Sequence, residues 1–140
     1  MFYVLAALGV GVAWYIVLLP FGSGLPMGGE HWFANLLAMC FTSLTLALVF
    51  RPLITRARGV TYHVLAIGLP SVGALVFGIY TILGWAIWPM VPGATVAWNK
   101  AIKTLPVFVL YGAWTLFFIT VPMGYASQWL MQRASRRNSA

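Results

Sequence analysis

The chain has 140 residues, of which 62% are apolar and only 6% are charged, and its mean hydropathy is +0.94. Soluble domains carry about a quarter charged residues, so this composition excludes a soluble or a disordered protein and predicts an integral membrane protein. Eight Lys and Arg residues against one acid, Glu30, give a formal net charge of +7 and exclude mechanisms that need two carboxylates.

Four runs without Asp, Glu, Lys or Arg are each long enough to cross a hydrocarbon core of about 30 Å as a helix. They predict an all-α integral membrane protein in which one domain, residues 1–140, contains four transmembrane helices in a single bundle. The predicted helices cover about residues 2–20, 31–50, 60–82 and 104–130, and a basic tail covers residues 131–140.

The first predicted helix has small residues one turn apart at Ala7 and Gly11. Such a pair lets the backbone of another helix approach closely, so we expect a packing contact there. The run lacks a preceding basic segment and a small-residue cleavage site, which favours a retained helix over a secretory signal.

The second predicted helix has a stripe of polar and small side chains at heptad-like spacing. Polar groups in a bilayer must face protein or water, so this stripe should face other helices, with a polar pathway or ligand surface as the alternative. The candidate polar site consists of Glu30, His31, Asn35, Thr42 and Thr45. Glu30 and His31 stand at the predicted helix start, where a carboxylate is favoured by the helix dipole.

The third predicted helix contains a second small-residue pair, Ala74 and Gly78, and an internal Pro70 that should bend it. His63 lies near its start. We favour an interfacial role for His63 beside Tyr62, with ligation of a haem or pigment shared with another chain as the alternative. No metal and no cofactor of its own is predicted for the chain.

Residues 83–103 are too apolar for a free loop and too short for two further helices. We expect this segment to lie along the outer interface as a surface or re-entrant helix. Its tryptophans, Trp85, Trp88 and Trp98, are candidate docking residues for a partner or for lipid.

Six arginines flank the predicted helices in two groups, one in the middle loop and one in the tail: Arg51, Arg56, Arg58, Arg133, Arg136 and Arg137. Basic residues near helix ends prefer the cytoplasmic side, so both termini and the middle loop should be cytoplasmic. The predicted location is a bacterial cytoplasmic (inner) membrane. These arginines are candidate docking residues for anionic lipid or an acidic partner, and a nucleic-acid partner is not predicted.

The scarcity of ionisable groups favours a non-catalytic accessory or assembly subunit of a larger membrane complex, in contact with other subunits and with lipid. The alternative is a small homo-oligomeric channel or carrier for an uncharged or weakly charged solute or for lipid, built around Asn35 and Thr42. An enzyme ranks third, because Glu30 and His31 would be its only acid–base pair.

Overall fold

The computed structural model describes residues 1–21, 32–87 and 117–138, with residues 103 and 106 described singly. All the elements in this part of the chain are helical, which confirms the all-α prediction for it. The helices are α1 (Phe2–Leu18), followed by a 3₁₀ turn (Leu19–Phe21), α2 (Trp32–Val49), α3 (Arg51–Arg56), α4 (Val60–Ile87) and α5 (Phe117–Asn138).

Two of these helices, α2 and α4, are long and apolar enough to cross a membrane. Their apolar windows are Trp32–Val49 and Val60–Gly84, and only 33% and 28% of the residues in them are buried. Helix α1 is also apolar but has 17 residues. About two thirds or more of each window is therefore not buried within the chain.

The four longer helices form a ring in chain order, in which α1 packs on α2, α2 on α4, α4 on α5, and α5 closes against α1. Neighbours in the ring run antiparallel. The hydroxyl of Tyr3, at the start of α1, donates to the carbonyl of Ala47, at the end of α2, over 2.8 Å. Met131 and Ala134, near the end of α5, pack in the same cluster as Tyr3.

Helices α1 and α2 approach closely because small residues face each other along their contact. A Cβ atom at Gly11 would lie 2.7 Å from the Cα of Cys40 and 2.9 Å from the carbonyl oxygen of Met39. One turn away, Ala7 is fully buried, and its carbonyl accepts a 2.7 Å hydrogen bond from the Ser43 hydroxyl.

Helices α4 and α5 meet at a proline and a glycine. Pro70 lies inside α4 and has no N–H, so the Ala66 carbonyl loses its usual helical donor. The backbone of Gly124 in α5 lies against that carbonyl, and a Cβ atom at Gly124 would overlap the oxygen and lie 3.2 Å from Pro70 Cγ. The absence of a side chain at Gly124 is what permits this contact.

Two helix ends differ from the sequence prediction. Helix α4 ends at Ile87, so residues 83–87 of the predicted interfacial segment are helical, and the rest of that segment lies outside the described residues apart from Lys103. Helix α5 ends at Asn138, so residues 131–138 of the predicted tail are helical. Hydropathy marks where an apolar run stops, whereas α5 continues because Met131 and Ala134 are buried by packing.

Candidate functional site

The polar stripe of α2 faces the interior of the ring. Asn35 and Thr42 are 0% and 3% exposed, and Thr45 is half-buried. The Thr42 hydroxyl donates to the Ala38 carbonyl of its own helix over 2.7 Å, and the Thr45 hydroxyl shares a 2.8 Å hydrogen bond with the hydroxyl of Tyr80 in α4. Packing inside the chain therefore occupies the described part of this stripe.

The other two members of the predicted polar site, Glu30 and His31, lie outside the described residues. The same holds for Trp88 and Trp98. The backbone of Trp85 belongs to α4, but its side chain is outside the description. The described residues therefore include three of the five members of the predicted polar site and the backbone of one of the three tryptophans.

The predicted small-residue pairs have different surroundings. Ala7 and Gly11 lie at the contact between α1 and α2. Gly78 is buried, and Ala74 is half-buried beside a cavity. Gly73 of α4 also lies close to α2, since a Cβ atom there would lie 3.2 Å from Leu46 Cδ1.

A cavity of about 120 Å³ lies inside the ring and is lined by residues of α1, α2, α4 and α5 together with Ile54 of α3. Its walls are mainly apolar, and its polar groups have partners within the chain except for the buried side-chain oxygen of Gln128, which has none among the described residues. The hydroxyls of Thr42 and Ser43 donate to backbone carbonyls, and the Ser127 hydroxyl accepts a 3.0 Å hydrogen bond from the indole of Trp14. Cavities of this size and character bind small apolar groups.

One end of the ring, which we call the basic end, brings together the start of α1, residues 51–58 and the last turns of α5. All six predicted docking arginines, Arg51, Arg56, Arg58, Arg133, Arg136 and Arg137, lie there with exposed side chains. Two of them stack on aromatic rings at 5.2 Å, Arg51 on Tyr3 and Arg133 on Trp129. Such stacking orients a guanidinium group and leaves its edge free for hydrogen bonds.

Glutamine side chains of α5 attach α3 to the basic end. The amide of Gln132 donates to the carbonyls of Ile54 at 3.0 Å and Ala57 at 2.9 Å, and the amide of Gln128 donates to Ile54 at 3.4 Å. These carbonyls end α3 and would otherwise lack donors. Gly59 then turns the chain into α4 with a φ of 54°, a value that favours glycine.

The charges of the basic end exceed what this chain can neutralise. Glu30 is the single acid in the sequence, against six arginines at this end. Guanidinium groups at a membrane surface are balanced by lipid phosphates or by an acidic partner. The basic end is therefore a surface that favours anions.

His63 belongs to an aromatic cluster with Tyr62 and Tyr125. Its Nδ1 atom lies 2.7 Å from the Tyr125 hydroxyl, and its exposed ring meets both tyrosine rings edge to face. His63 is thus held between aromatic side chains of α4 and α5. Within the described ranges, His, Cys, Asp and Glu do not form a group of three that could hold a metal ion.

Sequence reasoning missed several residues that shape these sites, namely Trp14, Gly124, Gln128 and Gln132. Gln128 and Gln132 are one turn apart and therefore share a face of α5. This spacing is the sequence feature by which the two glutamines could have been found. The partners of the others lie on different helices, which a single sequence does not reveal.

No protein-family model matches the chain, and no curated protein or solved structure is significantly similar to it.

Proposed function

We propose that the chain is an integral membrane protein in which α1, α2, α4 and the region of α5 provide four membrane crossings. The basic end faces the cytoplasm of a bacterial cell. The chain acts as a non-catalytic accessory or assembly subunit of a larger membrane complex and presents its outer helix faces to other subunits and to lipid.

The outward apolar faces support insertion in a membrane. The central helix of a soluble protein is mostly buried, whereas about two thirds of the apolar windows of α2 and α4 are not. Phe41 in α2 and Val64 in α4, for example, are 52% and 61% exposed. Exposing apolar surface to water costs about 25 cal/mol per Å², a cost that lipid removes.

The position of the arginines supports the orientation. The six arginines of the basic end belong to two chain segments, residues 51–58 and the last turns of α5, that the fold gathers at one end of the ring. Basic residues beside transmembrane helices are retained on the cytoplasmic side. A bundle with this distribution should have its termini and α3 in the cytoplasm.

The burial of the α2 stripe is the observation that carries the choice of a subunit over a homo-oligomeric pore. A pore built by self-association around Asn35 and Thr42 needs these side chains on the outside of each chain. They are 0% and 3% exposed, and α2 packs on α1 and α4 of the same chain. What remains outside is apolar, which suits contacts with other helices and with lipid.

The central cavity favours a carrier as the second candidate. Its volume of about 120 Å³ and apolar walls suit a small uncharged solute or part of an acyl chain. A carrier of this kind would work within one chain, so its activity should survive purification as a monomer.

Cysteine labelling tests insertion and orientation. In a Cys40→Ala background, the variants Arg56→Cys and Arg136→Cys should react with a membrane-impermeant maleimide only after the cytoplasmic side is opened. Ser23→Cys, in the predicted outer loop, should react in intact cells. Reaction of Arg56→Cys and Arg136→Cys from opposite sides would contradict the proposed bundle.

Site-specific photo-crosslinking tests the subunit role in native cells. A crosslinking amino acid at Phe41 or Leu75, both on outward faces, should yield a discrete adduct with a different polypeptide. The matched control is the same group at buried Ala38, which should yield no adduct with another chain. Adducts between two differently tagged copies would indicate a homo-oligomer, and a monomer linked only to lipid would remove the subunit role.

A further inference from the structure

A groove of about 500 Å³ lies on the outer surface of the basic end, between the first turns of α1 and the last turns of α5. Helix α1 contributes Phe2, Leu5 and Ala6. Helix α5 contributes Trp129, Leu130, Arg133, Ala134 and Arg137. The groove is thus apolar in most of its lining and carries positive charge from two arginines on one helix.

The apolar part of the groove is open. Phe2 and Leu5 are 55% and 56% exposed, and Leu130 is 38% exposed. The smaller Ala6 and Ala134 also line the groove and belong to one packed cluster, with Ala134 buried. Large side chains beside small ones leave a channel along the surface. An acyl chain fits such a channel because the acyl chain needs van der Waals contact along its length and forms no hydrogen bonds.

The charged part of the groove has a defined geometry. Arg133 and Arg137 are four residues apart on α5, so they share a face and are separated by about 6 Å along the helix axis. Arg133 is stacked on the Trp129 ring, with its guanidinium carbon 5.2 Å from the ring centre. Two guanidinium groups at this spacing can both donate to one phosphate group.

We propose that this groove binds one anionic phospholipid, with its phosphate between Arg133 and Arg137 and an acyl chain along Phe2, Leu5 and Leu130. The inference rests on the proposed insertion in a membrane. The proposed function requires only contact with lipid in general, whereas a groove site requires one class of lipid at one place on the chain.

The order of side chains along the groove favours a lipid over an acidic protein segment. Arg133 and Arg137 lie nearer the end of α5 than Leu130, and Leu5 lies further along α1 than Phe2, so in this antiparallel pair Leu5 and Leu130 extend the groove from the charges towards the middle of the bundle. The groove therefore offers charge at headgroup depth and apolar surface below it. An acidic peptide would satisfy the arginines but would leave the apolar part without a matching group.

Lipid binding by matched charge variants tests the site. The groove variant carries Arg133→Gln and Arg137→Gln, and the control carries Arg56→Gln and Arg58→Gln, so each loses two positive charges from the basic end. The full chain, purified in a non-ionic detergent, is titrated with phosphatidylglycerol or phosphatidylcholine and bound lipid is counted by native mass spectrometry. We expect one phosphatidylglycerol per wild-type chain, with affinity falling about fivefold for each groove arginine removed.

The control variant should retain wild-type affinity for phosphatidylglycerol. Equal losses in the two double variants would indicate diffuse attraction by net charge and would overturn the site. Undiminished binding in the groove variant would also overturn it, and loss of a crosslinked polypeptide from such a variant would assign the groove to an acidic protein partner.

A third variant, Leu5→Trp, tests the apolar half without a change of charge. The larger side chain should fill the groove and lower the affinity for diacyl phosphatidylglycerol. If inorganic phosphate competes equally well in wild type and Leu5→Trp, the site holds a free anion and the lipid assignment is wrong.

The cysteine-labelling experiment separates the two proposals. A wild-type chain that fails it is not inserted as proposed, and the proposed function fails. If the labelling pattern is as expected but the chain binds phosphatidylglycerol no better than phosphatidylcholine, the lipid site is wrong and the proposed function stands.

Discussion

The contact between α1 and α2 and the contact between α4 and α5 both depend on a glycine, but they differ in what the glycine meets. Gly11 faces the Cα atom of Cys40 and the carbonyl of Met39, at distances that leave almost no room for a methyl group. Gly124 faces the Ala66 carbonyl, where a methyl group would overlap the oxygen. Both neighbours are backbone atoms, which cannot rotate away as a side chain can.

The difference comes from Pro70. In α1 and α2 every residue has an N–H, and the close contact is reinforced by the hydrogen bond from Ser43 to Ala7. In α4 the proline leaves the Ala66 carbonyl without its helical donor, and Gly124 of α5 lies against that oxygen. The contact between α4 and α5 is therefore made where one helix lacks an internal hydrogen bond.

The largest effect is expected for Gly124→Ala. Because its methyl group would overlap a backbone oxygen, α4 and α5 must separate, and we expect a loss of about 3 kcal/mol in the free energy of unfolding. The measurement is unfolding of the purified protein in mixed micelles with increasing denaturing detergent. The matched control is Gly68→Ala, which meets nothing within 4 Å. A wild-type midpoint for Gly124→Ala would show that this contact is not made.

An intermediate effect is expected for Gly11→Ala, because its methyl group would lie 2.7 Å from Cys40 Cα without overlapping it completely. We expect a loss of about 2 kcal/mol in the same assay. Gly9→Ala, on the exposed side of α1, should be neutral or stabilising by up to about 1 kcal/mol. Equal effects of the two substitutions would contradict the close approach of α1 and α2.

The smallest effect is expected for Ser43→Ala, which removes the hydrogen bond to Ala7 and no other described contact of that hydroxyl. Interhelical bonds of this kind contribute about 1 kcal/mol. Thr42→Val is the comparison, since the Thr42 hydroxyl donates to a carbonyl of its own helix. The unfolding midpoint should therefore change less for Thr42→Val than for Ser43→Ala, and the reverse order would mean that Ser43 does not link the helices.

Polar side chains inside the bundle form hydrogen bonds between helices of the same chain, and this limits the functions that they can serve. Ser43, Thr45 and Trp14 direct their hydrogen bonds to neighbouring helices of the same chain. These groups are therefore engaged in holding the ring together. The outer faces are left apolar and the basic end is left charged, which is why contact and lipid binding, rather than proton chemistry, form the basis of the proposals.

The candidate sites were predictable to different degrees. The arginine positions and the small pair at Ala7 and Gly11 can be read from the chain, because charge and side-chain size are properties of single residues. The partners are not properties of single residues. The small size of Gly73, for example, does not reveal that it lies against Leu46 of α2.

Sequence alone determined that the described chain is helical and that two of its helices are apolar enough to cross a membrane, because both properties follow from local composition and run length. Tertiary structure decided which faces meet. Helical periodicity assigns a residue to a face, but the neighbour opposite that face depends on how all four helices close into a ring. The position of Gly124 opposite Pro70, and the groove between α1 and α5, arise only from that closure.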